Sequence, residues 1–122
     1  VRGKDTVPEM VVRRAAWALG YRYRLHLSGM PGKPDIVLPG ARKVIFVHGC
    51  FWHRHRGCAR TRTPKTRVAF WVEKFKENMA RDRAASAALT RAGWKSLVVW
   101  ECVSEDPRAL RELLVGFLGG NT

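Results

Sequence analysis

Hydrophobic and polar residues repeat along this chain in two different periods, and the switches between them outline a set of elements. Thr6 followed by Glu9 matches a capping box, after which Met10, Val11, Ala15, Ala18 and Leu19 recur at helical spacing until Gly20. A first helix near residues 7–19 is predicted. Residues 21–27 alternate aromatic or aliphatic side chains with Arg and His, as a half-buried strand does, and residues 29–34 carry turn chemistry. Asp35-Ile36-Val37-Leu38 and Val44-Ile45-Phe46-Val47 read as two core strands joined by a turn at Pro39-Gly40. A long helix follows over residues 67–92, with Val68, Trp71, Phe75 and Met79 as its apolar stripe and Gly93 as its end. Residues 97–100 are predicted as a buried strand, with Cys102 at its end. Asp106-Pro107 starts a last helix whose apolar face is Leu110, Leu113, Leu114, Phe117 and Leu118. Helix, three strands, helix, strand, helix predicts an α/β fold, a mixed sheet flanked by helices.

No repeat, low-complexity tract or linker interrupts this order, so residues 1–122 read as a single domain whose recognition and chemistry share one surface. The chain opens without Met, inside Val1-Arg2-Gly3-Lys4, which reads as a trimmed start. Lys and Arg number 23 against 10 Asp and Glu, a formal charge of +13, which favours a polyanionic partner. Nucleic acid leads that expectation and an anionic membrane surface comes second. No run of about 18 apolar residues is present to span a bilayer, and no secretory leader is visible, so a cytoplasmic, soluble protein is expected.

Residues 49–65 are rich in His, Arg, Cys, Gly and Thr and have no periodicity, so something other than an apolar face must fix them. Zinc prefers four tetrahedral sulfur and nitrogen ligands. Cys50, Cys58 and Cys102 with one histidine supply such a set, and His55, lying between the two local cysteines, is the natural fourth. The competing reading is three buried thiols that only pack. Sequence alone leaves His53 and His55 interchangeable as zinc ligand and general base.

Several blocks occur together in order: Pro8-Glu9-Met10, Pro31-Gly32-Lys33-Pro34-Asp35, Val44 through His53, Pro64-Lys65-Thr66, Asn78, Arg81-Asp82-Arg83, and Gly93-Trp94 through Cys102. With them the chain resembles the very short patch repair endonucleases, from about residue 5 to residue 102. The resemblance implies a restriction-endonuclease-like fold with a structural Zn2+ on Cys50, His55, Cys58 and Cys102. It also implies a catalytic Mg2+ on Asp35 and the main-chain carbonyl of Val47, with His53 as base and with Glu9 and His48 assisting around water and phosphate. Phe51, Trp52 and Trp71 match aromatics that enter the base stack beside the mismatch. The implied activity is a magnesium-dependent nick in one strand of double-stranded DNA beside a T:G mismatch, which initiates very short patch repair of deaminated 5-methylcytosine. A monomer at the nucleoid, working with other repair factors, is the matching expectation.

Each of these residues also has an ordinary explanation. Asp35 after a proline can be a strand-entry residue, Glu9 can serve only the capping box, and His26 and His48 can be satisfied strand histidines. Trp71 fits the apolar stripe of its own helix. Val47 stands where the family commonly has Thr, which leaves the main-chain ligand but removes a hydroxyl. The segment before the first helix is short where relatives grip the minor groove, and Arg54, Arg56 and Gly57 alter the spacing up to Cys58. Two further readings stay open: a related nuclease with another DNA target, and a zinc-stabilised DNA-binding module without catalysis.

Overall fold

The computed structural model describes residues 7–25, 27, 29–50, 55, 58 and 64–119. Helix α1 (Val7–Ala18) turns Glu9, Val12 and Ala16 inward, the spacing of one helix face. Thr6, its proposed cap, lies outside the described residues, as does His26. Strand β1 is short (Arg24–Leu25), where the sequence pattern predicts pairing over residues 21–27. The two tyrosines explain the difference: the Tyr21 hydroxyl donates to the Leu118 carbonyl at 3.1 Å and the Tyr23 hydroxyl to the Arg13 carbonyl at 2.9 Å. Both rings are thus tied to helices rather than set out along a strand.

Strands β2 (Ile36–Leu38) and β3 (Lys43–His48) pair antiparallel around the predicted turn, and β4 (Lys95–Trp100) pairs with β3 in parallel. The sheet order is β1-β2-β3-β4. A parallel neighbour needs a crossover, and α2 (Val68–Arg91) supplies it. Gly93, at φ 88°, lets the chain leave α2 and enter β4, with the Trp94 N–H donating to the Leu89 carbonyl.

The mixed sheet is covered on both faces. Ile36, Leu38, Ile45 and Val99 pack with Val12 of α1 and with Leu110, Leu114 and Leu118 of α4 (Pro107–Leu118). The alternate residues Val37, Val44 and Phe46 pack on Leu89 of α2. Asp106 caps α4 as its position predicts, accepting from the Arg108 and Ala109 N–H groups. Gly32 has φ 72°, and a Cβ there would stand 2.5 Å from that of Ala85, so only glycine lets the loop entering β2 lie against α2.

Two expectations are corrected. The stripe Val68, Trp71, Phe75, Met79 is not a core face: Phe75 is buried, while Val68 is 47% and Met79 38% exposed. A 24-residue helix is about 36 Å long and six-residue strands about 20 Å, so the sheet covers only part of α2. Cys102 does not end a strand either. It lies in a four-residue helix α3 (Glu101–Ser104), directly after β4. No helix among the described residues is long and apolar enough to cross a membrane.

Candidate functional site

The parallel pair β3 and β4 sets His48 opposite Trp100, and the chemistry-bearing residues gather at that end. One residue beyond β3 comes Gly49, then Cys50; α3 follows β4 at once and carries Cys102. The sheet register therefore joins two cysteines that are far apart in sequence.

Cys50, His55, Cys58 and Cys102 place one ligand atom each within 4.8 Å of all the others. The His55 Nδ1 lies 3.6 Å from the Cys50 sulfur and 3.4 Å from the Cys102 sulfur. Around a tetrahedral dication with bonds of about 2.0–2.3 Å, ligand atoms stand about 3.5–3.8 Å apart, so both His55 distances are close to those of a bound metal ion and the four atoms together could hold one. None of the three cysteines is joined in a disulfide among the described residues. Burial pushes the Cys50 thiol up to about 12; the neighbouring Cys102 and Cys58 thiols add to the rise, and a hydrogen bond from the Cys102 backbone opposes it. Without a cation such a group stays protonated. A dication at the centre would supply the charge that makes thiolates stable there. The Cys50 N–H is itself held by the Glu101 carboxylate at 3.4 Å.

Asp35 and Val47, far apart in sequence, are brought into direct contact. The Val47 N–H donates to the Asp35 carboxylate at 2.7 Å, and the Asp35 N–H donates to the Ile45 carbonyl at 3.2 Å. Both bonds cross between the start of β2 and β3, so the antiparallel pairing aims the carboxylate at the β3 backbone.

His48 is only 8% exposed, and its ring lies among Phe46 at 5.7 Å and Trp100 at 5.4 Å. It borders an open cleft of about 240 Å³ lined also by Met79, Asp82, Arg83 and Val98. Glu9 is 1% exposed and pairs with Arg13 at 3.4 Å. A carboxylate serving only a helix cap would be expected nearer to solvent, so its burial favours a second task. Trp71 is half-buried, stacked on Phe75 at 5.9 Å and edge-on to Phe70 at 5.3 Å. Phe51, Trp52 and His53 lie outside the described residues.

Sequence reasoning missed Trp100 as a site residue. Its ring is stacked on His55 and touched edge-on by His48, so one indole joins the metal-capable cluster to the cleft. Asp82 and Arg83 were visible as a motif, but their place beside His48 depends on how α2 crosses the sheet.

A carboxylate, a buried imidazole and a Cys/His cluster on one strongly basic α/β fold define a class, and known proteins agree on it: this is a DNA endonuclease. The family model for the DNA mismatch endonuclease Vsr matches residues 1–60. The type II nicking enzyme V.XorIIP of Xanthomonas oryzae pv. oryzae is 48% identical over 118 residues, covering 97% of this chain and 86% of that protein. The type II nicking enzyme V.NmeAIP of Neisseria meningitidis is 40% identical, covering 93% and 81%. The DNA mismatch endonuclease Vsr of Escherichia coli K12 is 41% identical over 99 residues, covering 81% and 63%. The chain belongs to the Vsr family.

Proposed function

We propose that this chain cuts one strand of duplex DNA beside a thymine mispaired with guanine and so opens the repair of deaminated 5-methylcytosine. The observation that carries the reading is the 2.7 Å bond between the Val47 N–H and the Asp35 carboxylate, which joins the two residues proposed to hold magnesium. Carboxylate and carbonyl oxygens are the donors this hard cation prefers. Magnesium held there supplies polarisation of the scissile phosphate and a more acidic water. His53 takes the proton of the attacking water, since a neutral imidazole accepts protons near neutral pH. His48 and Glu9 orient water and phosphate from the flanks. Phe51, Trp52 and Trp71 enter the base stack at a cost of a few kcal/mol, which is lower at a mispaired step, and selectivity arises from that difference.

Zinc is the ion proposed for the Cys/His cluster, because three sulfurs and one imidazole gathered at one point suit it and, as four ligands, leave no open position for substrate. Two of its ligands, Cys50 and His55, flank Phe51, Trp52 and His53 in sequence. A monomer in a restriction-endonuclease-like fold, acting at the nucleoid beside other repair factors, completes the reading.

The names of two relatives favour a second reading, a nick at a defined sequence rather than at a mismatch. A panel of T:G-mismatched, otherwise mismatched, perfectly paired and single-stranded oligonucleotides separates them. Faster nicking of the thymine strand in the T:G duplex, dependent on magnesium, is expected. Equal rates on paired and T:G duplexes would favour the sequence-specific enzyme. Tight binding with no cut in magnesium would leave a DNA-binding module.

A further inference from the structure

Away from the cleft, the far end of α1 carries an aromatic ring under a cation. Trp17 is 52% exposed, and the Arg22 guanidinium lies 3.7 Å from its ring centroid. Tyr23 meets the same indole edge-on at 5.9 Å and is anchored through its hydroxyl to the Arg13 carbonyl. The Trp17 ring is therefore held in place although much of it faces solvent. Arg14 lies three residues before Trp17 on the same side of α1, and Arg24 follows in the edge strand β1.

From Met10 to Pro34 the sequence has Arg13, Arg14, Arg22, Arg24 and Lys33 and no Asp or Glu at all. Among the described residues, Arg14, Arg22 and Arg24 are exposed and none has a carboxylate partner. A guanidinium held over an indole face is restrained there while its N–H donors stay available, and its planar fork can take two phosphate oxygens together. Arg22 spends one donor on the Tyr21 carbonyl at 3.3 Å and keeps the others. An uncompensated cationic patch with a pre-oriented guanidinium suits a phosphate backbone better than a protein surface, whose contact would bury apolar area.

We propose that Trp17 and Arg22, with Arg14 and Arg24 beside them, form an outlying contact for the phosphate backbone of duplex DNA, on the α1 side of the sheet and outside the cleft. The contact reads no bases, and it holds whether the cleft selects a mismatch or a defined sequence. Trp17 acts through Arg22: the indole fixes the guanidinium, and the guanidinium holds the phosphate.

The test is the dissociation constant of the full chain for a perfectly paired duplex longer than the cleft, measured across a range of salt. Each phosphate contact adds about 0.9 to the slope of log affinity against log salt. Arg22→Ala is expected to lower that slope by about one and to weaken binding about tenfold at moderate salt. Trp17→Ala removes no charge, yet it should lower the slope by a similar amount because Arg22 loses its seat. Arg108→Ala, which removes the same charge from the exposed face of α4, should leave the slope unchanged. An unchanged slope and affinity in Arg22→Ala, or an equal loss in Arg108→Ala, overturns the proposal. Arg22 is exposed, so its variant stays informative even if Trp17→Ala frays the end of α1.

Discussion

The imidazole of His55 lies flat on the indole of Trp100, with ring centroids 4.4 Å apart and planes 10° from parallel. The same indole meets His48 edge-on at 5.4 Å. Trp100 is the last residue of β4, and Cys102 lies two positions beyond it. One side chain thus borders the metal-capable cluster and the cleft together.

Trp100→Ala is therefore expected to weaken metal retention and nicking at once, with a stability loss of about 2–4 kcal/mol. Trp100→Phe keeps a ring to stack on His55 and should restore most of the metal. Metal content, thermal melting and nicking rate measured on both variants check this. An alanine variant that keeps its metal and loses only nicking would show that the stack does not hold His55.

Metal loading of the Cys/His cluster has a defined pH dependence. Cys50 is pushed up to about 12 from an ordinary 9.0, so in the metal-free chain its contribution to stability is whole below pH 9.0 and is lost as the pH climbs towards about 12. With the ion bound the sign reverses, because the sulfur binds as thiolate. Loading releases a proton at any pH below about 12, and apparent affinity falls as the solution is acidified. Calorimetry in two buffers of different ionisation heat should give different apparent enthalpies. Zinc at one ion per chain is expected in the purified protein, a strong chelator should melt the cluster, and Cys102→Ala should be as damaging as Cys50→Ala. Active, folded protein without zinc would remove the assignment.

The proposed reading divides base and ligand between His53 and His55. His55→Ala is expected to lose metal and stability first, since its Nδ1 lies within 3.6 Å of two sulfurs. His53→Ala should keep the metal, the fold and mismatch binding while losing about 10²–10⁴-fold in rate, the usual worth of a general base. Melting curves and metal content beside single-turnover rates distinguish them. A metal-free His53→Ala beside a metal-replete His55→Ala would exchange the roles.

Asp35→Asn separates the hydrogen bond this carboxylate makes from the magnesium binding proposed for it. The amide keeps an oxygen to accept the Val47 N–H, so melting should move by no more than about 1 kcal/mol. The charge that attracts a dication is gone, so nicking should fall by at least about a hundredfold at any magnesium concentration. Asp35→Ala loses both, and its lower melting temperature should track the orphaned N–H. Full activity in Asp35→Asn would remove this residue from the metal site.

Much of the architecture is written in periodicity. The apolar runs in 35–38 and 44–47, the Asp106-Pro107 start and the Gly93 stop all lie where the pattern predicts them, because local steric and capping preferences act within a few residues. The short β1 and the exposed stripe of α2 were not legible. Hydrophobicity along a helix says which residues share a face and not whether a sheet is long enough to cover it.

The same division runs through the site. Sequence by itself supplied the donor types, the uncompensated positive charge and the ordered motifs that mark the family. Only the tertiary structure decided that Asp35 touches Val47, that α3 delivers Cys102 to Cys50, and that Trp100 lies between the rings of two histidines. Those relationships depend on strand register and on where helices cross, which are fixed by burying the Ile36, Ile45 and Val99 face against α1 and α4 rather than by any local run of residues.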